Sequence, residues 1–183
     1  MQVKITNLDR SRWKDLPIDL KEKGYKVGAE IGVLKGEYTE VLCKQGFKMY
    51  GIDLWEPYDT YKDFQGKEVF DAYYKEAQER LSKYDCTLIK GWSSDVVKQF
   101  ENESLDFIFI DGNHAFEYVV EDLAKWSPKV KKGGIISGHD FFNKYRGRSY
   151  GVQYAVPAWC EANRIKEIFL FSKDSCPSWM YVK

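Results

Sequence analysis

The apolar residues of this chain fall into short, nearly uninterrupted runs, separated by longer stretches in which apolar and charged positions mix. The runs KVGAEIG (26–32), FKMYGIDL (47–54), CTLIKG (86–91), LDFIFID (105–111), GIISGHD (134–140), IKEIFLFS (165–172) and SWMYVK (178–183) have the length and composition of strands. LDFIFID and GIISGHD are continuously apolar rather than alternating, which marks strands covered on both faces, as in a parallel sheet between two helical layers. The mixed stretches predict helices near 37–46, 66–83, 94–102, 115–127 and 150–162. Strand and helix therefore alternate, the pattern of a doubly wound α/β sheet. The rhythm breaks once: only KDSCP (173–177) separates the last two strands, too little for a right-handed crossover, so SWMYVK must pair antiparallel. The expected fold is a mostly parallel, seven-stranded sheet with an antiparallel C-terminal strand and helices on both faces.

Two segments stand outside this alternation. Residues 1–25 read as an N-terminal helical extension, and WEPYDTYKDFQGKEVFDAYYKEAQERL, which follows the second strand, reads either as a helix with an aromatic inner face or, over 55–83, as a lid on the substrate. Composition narrows the setting. A chain of 183 residues is about one domain long. The four cysteines, Cys43, Cys86, Cys160 and Cys176, show no CxxC spacing, so neither a structural zinc site nor a disulfide framework is expected, and a reducing compartment fits. The polar start and the lack of an apolar run of about 18 residues argue against a secretory signal or a membrane span, which makes the expected location cytoplasmic. Lys plus Arg and Asp plus Glu number 28 each, and the basic stretches KVKKGG and KYRGR are short. Nucleic acid, which needs a clustered positive face, is therefore not the expected partner; a small molecule is. A crevice left open on so small a sheet is one that a homodimer could complete.

Chemistry-bearing residues gather at predicted strand ends. Asp111 and His114 close LDFIFIDGNH, and His139 and Asp140 close GGIISGHD, so a parallel sheet brings all four to the edge where such sheets bind ligands. At the first strand, Glu30 precedes the turn that holds Gly32 and Gly36, and Asp53 ends the second strand. A carboxylate at that second tip accepts hydrogen bonds from a ribose, in nicotinamide and adenosyl cofactors alike. The turn discriminates between them, because Val-Leu-Lys between Gly32 and Gly36 does not match the GxGxxG of a dinucleotide site. The third strand ends in KGWSSD, where Ser93 or Ser94 followed by Asp95 makes a good helix cap. Glu121 and Asp122 lie mid-helix and read as a solvated face, and Tyr145, Arg146, Arg148 and Tyr150 form a candidate substrate loop.

The ordered run DGNHAFEYVVEDLAKWSPKVKKGGIISGHDF, with AEIGVLKGEYTEVL and GIDLW upstream and YRGRSYGVQYAVPAW downstream, resembles the class I S-adenosylmethionine-dependent methyltransferases grouped with macrocin O-methyltransferase and the cephalosporin-biosynthesis methyltransferase-like proteins. The resemblance implies a single Rossmann-like domain over 1–183, methyl transfer to a hydroxyl of a small molecule such as a sugar, a glycosylated or a phenolic metabolite, and S-adenosylmethionine as cofactor. It places Glu30, Gly32, Gly36, Asp53, Gly91, Trp92, Ser93 and Asp111 on that cofactor. From the metal-dependent members it implies Mg²⁺ or Mn²⁺ on Asp111 and Asp140, with His114 as base and His139 standing where those members have another acid. Imidazole at that point shifts the preference away from magnesium unless the ring turns aside. Leu34 occupies the middle glycine position of the fullest cofactor motif. The competing readings are a nicotinamide-dependent oxidoreductase, disfavoured by the turn, a Rossmann-like binding protein without turnover, and a nucleic-acid base methyltransferase, disfavoured because DGNH stands where those enzymes have a [DN]PP[YF] run.

Overall fold

The computed structural model describes residues 3–58, 66–142, 144–145, 148–149 and 151–183. Its strands are β1 (Lys4–Leu8), β2 (Val27–Ile31), β3 (Lys48–Asp53), β4 (Cys86–Lys90), β5 (Leu105–Ile110), β6 (Val130–Gly138), a small β7–β8 hairpin (Lys144–Tyr145 and Arg148–Ser149), β9 (Glu167–Phe171) and β10 (Ser178–Val182). The helices are α1 (Asp15–Glu22), α2 (Glu37–Cys43), α3 (Lys67–Leu81), α4 (Ser93–Val96), α5 (Phe116–Trp126) and α6 (Val152–Ala162).

The main sheet runs β1-β9-β10-β6-β5-β2-β3-β4. Strand β10 is antiparallel to both β6 and β9, as the six-residue connection requires, and the other pairings are parallel. The sheet has eight strands rather than seven. The additional one, β1, pairs with β9 at the edge and lies where the sequence suggested a helical extension. Its residues KITNL are largely exposed, so an apolar signal was missing.

The continuous apolarity of β5 follows from its place in the middle. Ile108 and Ile110 point into one core cluster with α5 and α6 residues such as Val119, Leu123, Trp126 and Val156. Phe107 and Phe109 point into the opposite cluster with Leu16, Leu20, Tyr38 and Leu42 from α1 and α2. At the amino ends of the strands Asp106 joins three neighbours: its carboxylate accepts the Lys26 and Val27 N–H groups at 2.7 and 2.9 Å and pairs with Lys131 at 2.7 Å.

At the opposite edge the hydrogen-bond ladder continues one residue beyond the strands. Gly32 N–H donates to the Ile52 carbonyl, Gly91 N–H to Asp53, Asp111 N–H to Ile31 and His139 N–H to Ile110, at 2.7 to 3.1 Å. These bonds bring the turns after four strands to one level. No helix among the described residues is long and apolar enough to cross a membrane.

Asp106→Ala should leave the Lys26 and Val27 N–H groups unpaired at a half-buried position and cost roughly 1 to 3 kcal/mol, read as a lower urea midpoint with an unchanged slope. An unchanged midpoint would show that water replaces the carboxylate without loss.

Candidate active site

The levelled turns border a cleft of about 340 Å³, lined among others by Glu30, Gly32, Asp53, Trp92, Asp111 and His114. Its floor is the turn after β2. Gly32 has φ +90°, and a Cβ there would sit 2.2 Å from the Asp111 carbonyl oxygen, so only glycine lets the two turns approach. Asp53 holds this turn: Oδ2 accepts the Val33 and Leu34 N–H groups at 2.9 and 2.8 Å, and Oδ1 accepts Trp55 N–H at 2.9 Å. Burial raises the Asp53 pKa, and these backbone N–H groups pull the other way without cancelling it. Leu34, at the expected middle-glycine position, takes φ 50° itself.

Glu30 is buried beneath the turn, where its carboxyl accepts a hydrogen bond from Thr39 of α2. Burial drives its pKa well up, against the Thr39 hydrogen bond and the nearby charge of Arg12. Gly36 packs on α3, where a Cβ would meet Leu81 at 2.9 Å, and it is not among the residues that line the cleft.

At the far end of the cleft, Trp92 presents a partly exposed ring edge-on to Tyr58, with centroids 4.8 Å apart. Ser93 Oγ donates to Asp122 Oδ1 at 2.5 Å. Asp122 is therefore not on a solvated face. It is buried together with Val119, Leu123 and Trp126, the inward stripe of α5. Burial lifts its pKa to about 6, with the Ser93 hydrogen bond opposing. Helical spacing alone carries this signal, since Asp122 falls three after Val119 and four before Trp126.

The other end of the cleft holds a compact charged group. His114 Nε2 lies 3.3 Å from Asp111 Oδ1 and 3.0 Å from Asp140 Oδ2. Asn113 shapes the turn by accepting Ala115 N–H at 2.9 Å, and α6 is tied on through Gly151 N–H to the His114 carbonyl. Asp111 and His114 line the cleft, whereas Asp140 sits behind them, buried, with its backbone at φ 58°. Burial opposes a charge on His114, but the hydrogen bonds and charges of Asp111 and Asp140 outweigh it and raise the ring's pKa to about 9. A pKa of about 9 favours the imidazolium form at neutral pH when no ligand is present. Asp140 shifts the opposite way: burial is overcome by the His114 partnership, and its carboxyl is held well below the usual range.

His139 also departs from expectation. The oxygens and ring nitrogen that converge around Asp111 and Asp140 are completed by His114, and His139 groups instead with Asp140 and Cys176. Its Nδ1 is 3.0 Å from Ser178 Oγ, and burial lowers its pKa.

Arg12 is a site residue that sequence reasoning missed. Its guanidinium is buried among the rings of Trp13, Tyr38 and Phe109 and lies 3.3 Å from Asp111 Oδ2. Asp174 fastens the segment by accepting Ser11 Oγ–H and Arg12 N–H, each at 2.7 Å. The RSRW run offered only a basic residue beside an aromatic one, with no periodicity to place it over the cleft.

Residues 29–141, more than half of the chain, match the methyltransferase domain family model. The chain belongs to that family. Its fold is shared with a Staphylococcus aureus protein provisionally assigned as a caffeoyl-CoA O-methyltransferase (TM-score 0.72, 13% identity, covering 96% of this chain and 85% of that one). An O-methyltransferase from Bacillus cereus, solved with S-adenosylhomocysteine, superposes with TM-score 0.69 at 15% identity, covering 94% and 80%. The O-methyltransferase TomG from Streptomyces achromogenes, solved with S-adenosylmethionine, gives 0.63 at 14%, covering 94% and 79%. An uncharacterised Sinorhizobium fredii protein, y4gI, is 26% identical over 120 residues, and that match spans 64% of this chain and 12% of the relative's length.

Within this family member, Glu30, Gly32, Asp53, Gly91, Trp92, Ser93 and Asp111 border one cleft as the sequence suggested. Residues 59–65 of the expected lid, and Arg146 and Tyr150 of the expected substrate loop, lie outside the described residues, as do the side chains of Tyr145 and Arg148.

Asp122 yields a test by pH. Its folded pKa of about 6 exceeds the ordinary 3.8, so the native state is penalised above that window and relieved as pH falls through it. Asp122→Asn should therefore raise stability by up to about 3 kcal/mol at pH 7.5, the gain vanishing below pH of about 4. Equal melting temperatures of the two proteins at pH 7.5 would show that the carboxyl carries no such penalty.

Proposed function

We propose that the chain transfers a methyl group from S-adenosylmethionine to a hydroxyl oxygen of a small molecule, a sugar or a glycosylated or phenolic metabolite, within a single domain. The observation that carries this reading is continuity: the cleft floored by Gly32 and Asp53 runs directly to Asp111 and His114. The methyltransferase family match and the fold shared with O-methyltransferases solved with S-adenosylmethionine or its demethylated product support it.

S-adenosylmethionine supplies an electrophilic sulfonium methyl. The chain's residues position both partners. Trp92 and Ser93, with Asp122 behind, offer a flat ring and a polar contact at one end; Asp53 offers its carboxylate oxygens to ribose hydroxyls alongside its backbone bonds; and Gly32 admits the chain that leads to Asp111. Beside Asp111, His114 faces the position where an acceptor oxygen must lie. In the resting protein the ring donates hydrogen bonds to its carboxylates. Positive charge placed against Asp111 and Asp140 weakens their hold on the ring proton, lowers its pKa, and frees Nε2 to take the acceptor's proton.

Asp111 and Asp140, whose carboxylate oxygens belong to one cluster of possible metal donors, would hold a divalent ion, with His114 kept as the base. Such an ion would orient the acceptor and acidify its hydroxyl.

Two substitutions separate binding from chemistry. Asp53→Ala should weaken S-adenosylmethionine binding about ten- to hundredfold by calorimetry, through loss of charge-assisted hydrogen bonds and of the turn they brace. His114→Ala should leave that affinity nearly constant and lower methyl transfer to an accepted hydroxyl by about 10² to 10⁴. Normal turnover in the His114 variant would overturn the base assignment, and absence of any S-adenosylmethionine binding by the intact chain would overturn the function.

A further inference from the structure

Behind the charged group that faces the cleft lies a second set of donors that shares only Asp140 with it. Strand β6 runs out at Gly138 into His139 and Asp140, and the connection between β9 and β10 makes contact with this end. Three contacts fasten the two segments: Phe141 N–H donates to the Pro177 carbonyl at 3.0 Å, the Trp179 indole N–H donates to the His139 carbonyl at 3.1 Å, and His139 Nδ1 meets the hydroxyl of buried Ser178 at 3.0 Å. Cys176 is thereby held beside Asp140, to which its thiol is hydrogen-bonded. The donor atoms of His139, Asp140 and Cys176 all lie within 4.8 Å of one another.

We propose that His139 Nε2, Asp140 Oδ1 and Cys176 Sγ form a transition-metal centre, with Zn²⁺ as the preferred ion, set behind the reaction group. Asp140 divides its two oxygens. Oδ1 faces His139 Nε2 at 3.5 Å, and Oδ2 faces His114 at 3.0 Å, so one carboxylate serves the metal on one side and the histidine of the cleft on the other. In the tautomer the centre requires, Nδ1–H donates to Ser178 Oγ and the Nε2 lone pair is turned toward Asp140, the usual way a supporting group orients a ligand histidine. The thiol loses its proton to solvent as the sulfur binds, leaving a thiolate, an imidazole and a carboxylate. That mixed set suits zinc, with a fourth position for water, and is poorly matched to magnesium, which demands oxygen ligands. CxxC spacing is no guide here, because the fold rather than the local sequence assembles the donors. By pinning Oδ1 the ion fixes Oδ2 against His114. The inference concerns this ion alone and stands whichever acceptor the cleft takes.

The test uses the intact chain, freed of metal by chelation and titrated with Co²⁺ as a spectroscopic stand-in for Zn²⁺. The expected result is a near-ultraviolet thiolate-to-cobalt charge-transfer band that saturates at one equivalent, disappears on adding Zn²⁺ and persists in excess Mg²⁺. Cys176→Ser should abolish the band while Cys43→Ser retains it, with thermal melts confirming that both variants fold. Should the Cys176 variant not fold, Ser178→Ala provides the second measurement: the band remains, but Zn²⁺ binds at least about tenfold more weakly, the lower bound for losing a supporting contact. Absence of the band in the intact chain, its survival in folded Cys176→Ser, or unchanged zinc affinity in Ser178→Ala would each overturn the proposal.

Discussion

Four backbone hydrogen bonds that extend the sheet ladder past its strands set the geometry on which the site depends. Through them Gly32, Gly91, Asp111 and His139 leave the sheet at one level, each secured to the carbonyl of an adjacent strand. The close approach of Gly32 to the Asp111 carbonyl is possible only because these bonds hold both turns in register and because no side chain intervenes. The side chains at these strand ends are then placed by backbone that the sheet itself holds, which is how a site keeps its groups within the tolerance that chemistry demands.

Within that frame the electrostatics run against stability. Asp122 keeps a buried carboxyl, Glu30 is sealed beneath the turn, and Arg12 has a buried Nε without a hydrogen-bond partner among the described residues. At the reaction end Asp111 and Asp140 are compensated by His114 and Arg12, so the resting group is a network of opposite charges. Clusters of shifted groups beside a cleft are the pattern expected where function sets the residue choice. A cation entering this network must displace charge that is already balanced, which makes occupancy of the cleft and the protonation of His114 a single linked event.

The architecture was legible where burial on both faces writes a continuous apolar run, as in β5 and β6, and where chain length forbids a crossover, as at KDSCP before β10. The positions of Gly32, Asp53, Asp111 and His114 followed from the same logic, since strand ends in a parallel sheet share one edge. Strand β1 was not legible, because an exposed edge strand has little apolar content. Arg12 and Cys176 escaped for a different reason. Each reaches the site through tertiary contacts, Asp174 to Ser11 and Arg12, and Pro177 to Phe141, that no local pattern announces. Gly36, a motif glycine read as a ligand contact, also has a packing role that the motif did not announce, since a Cβ there would meet Leu81 of α3.

The fastening of residues 4–12 to residues 166–174 bears on how the molecule assembles. The ladder between β1 and β9, with Ser11 and Arg12 held by Asp174, joins positions that are more than 160 apart in sequence. Closing so large a loop gains its contacts only after the entropy of bringing the ends together has been met, so such pairings belong to the late part of folding. The cradle made by β2, β3 and β5 depends on nearer contacts and can form first. Arg12 lies on this segment, so the charge balance over Asp111 depends on contacts that are distant in sequence.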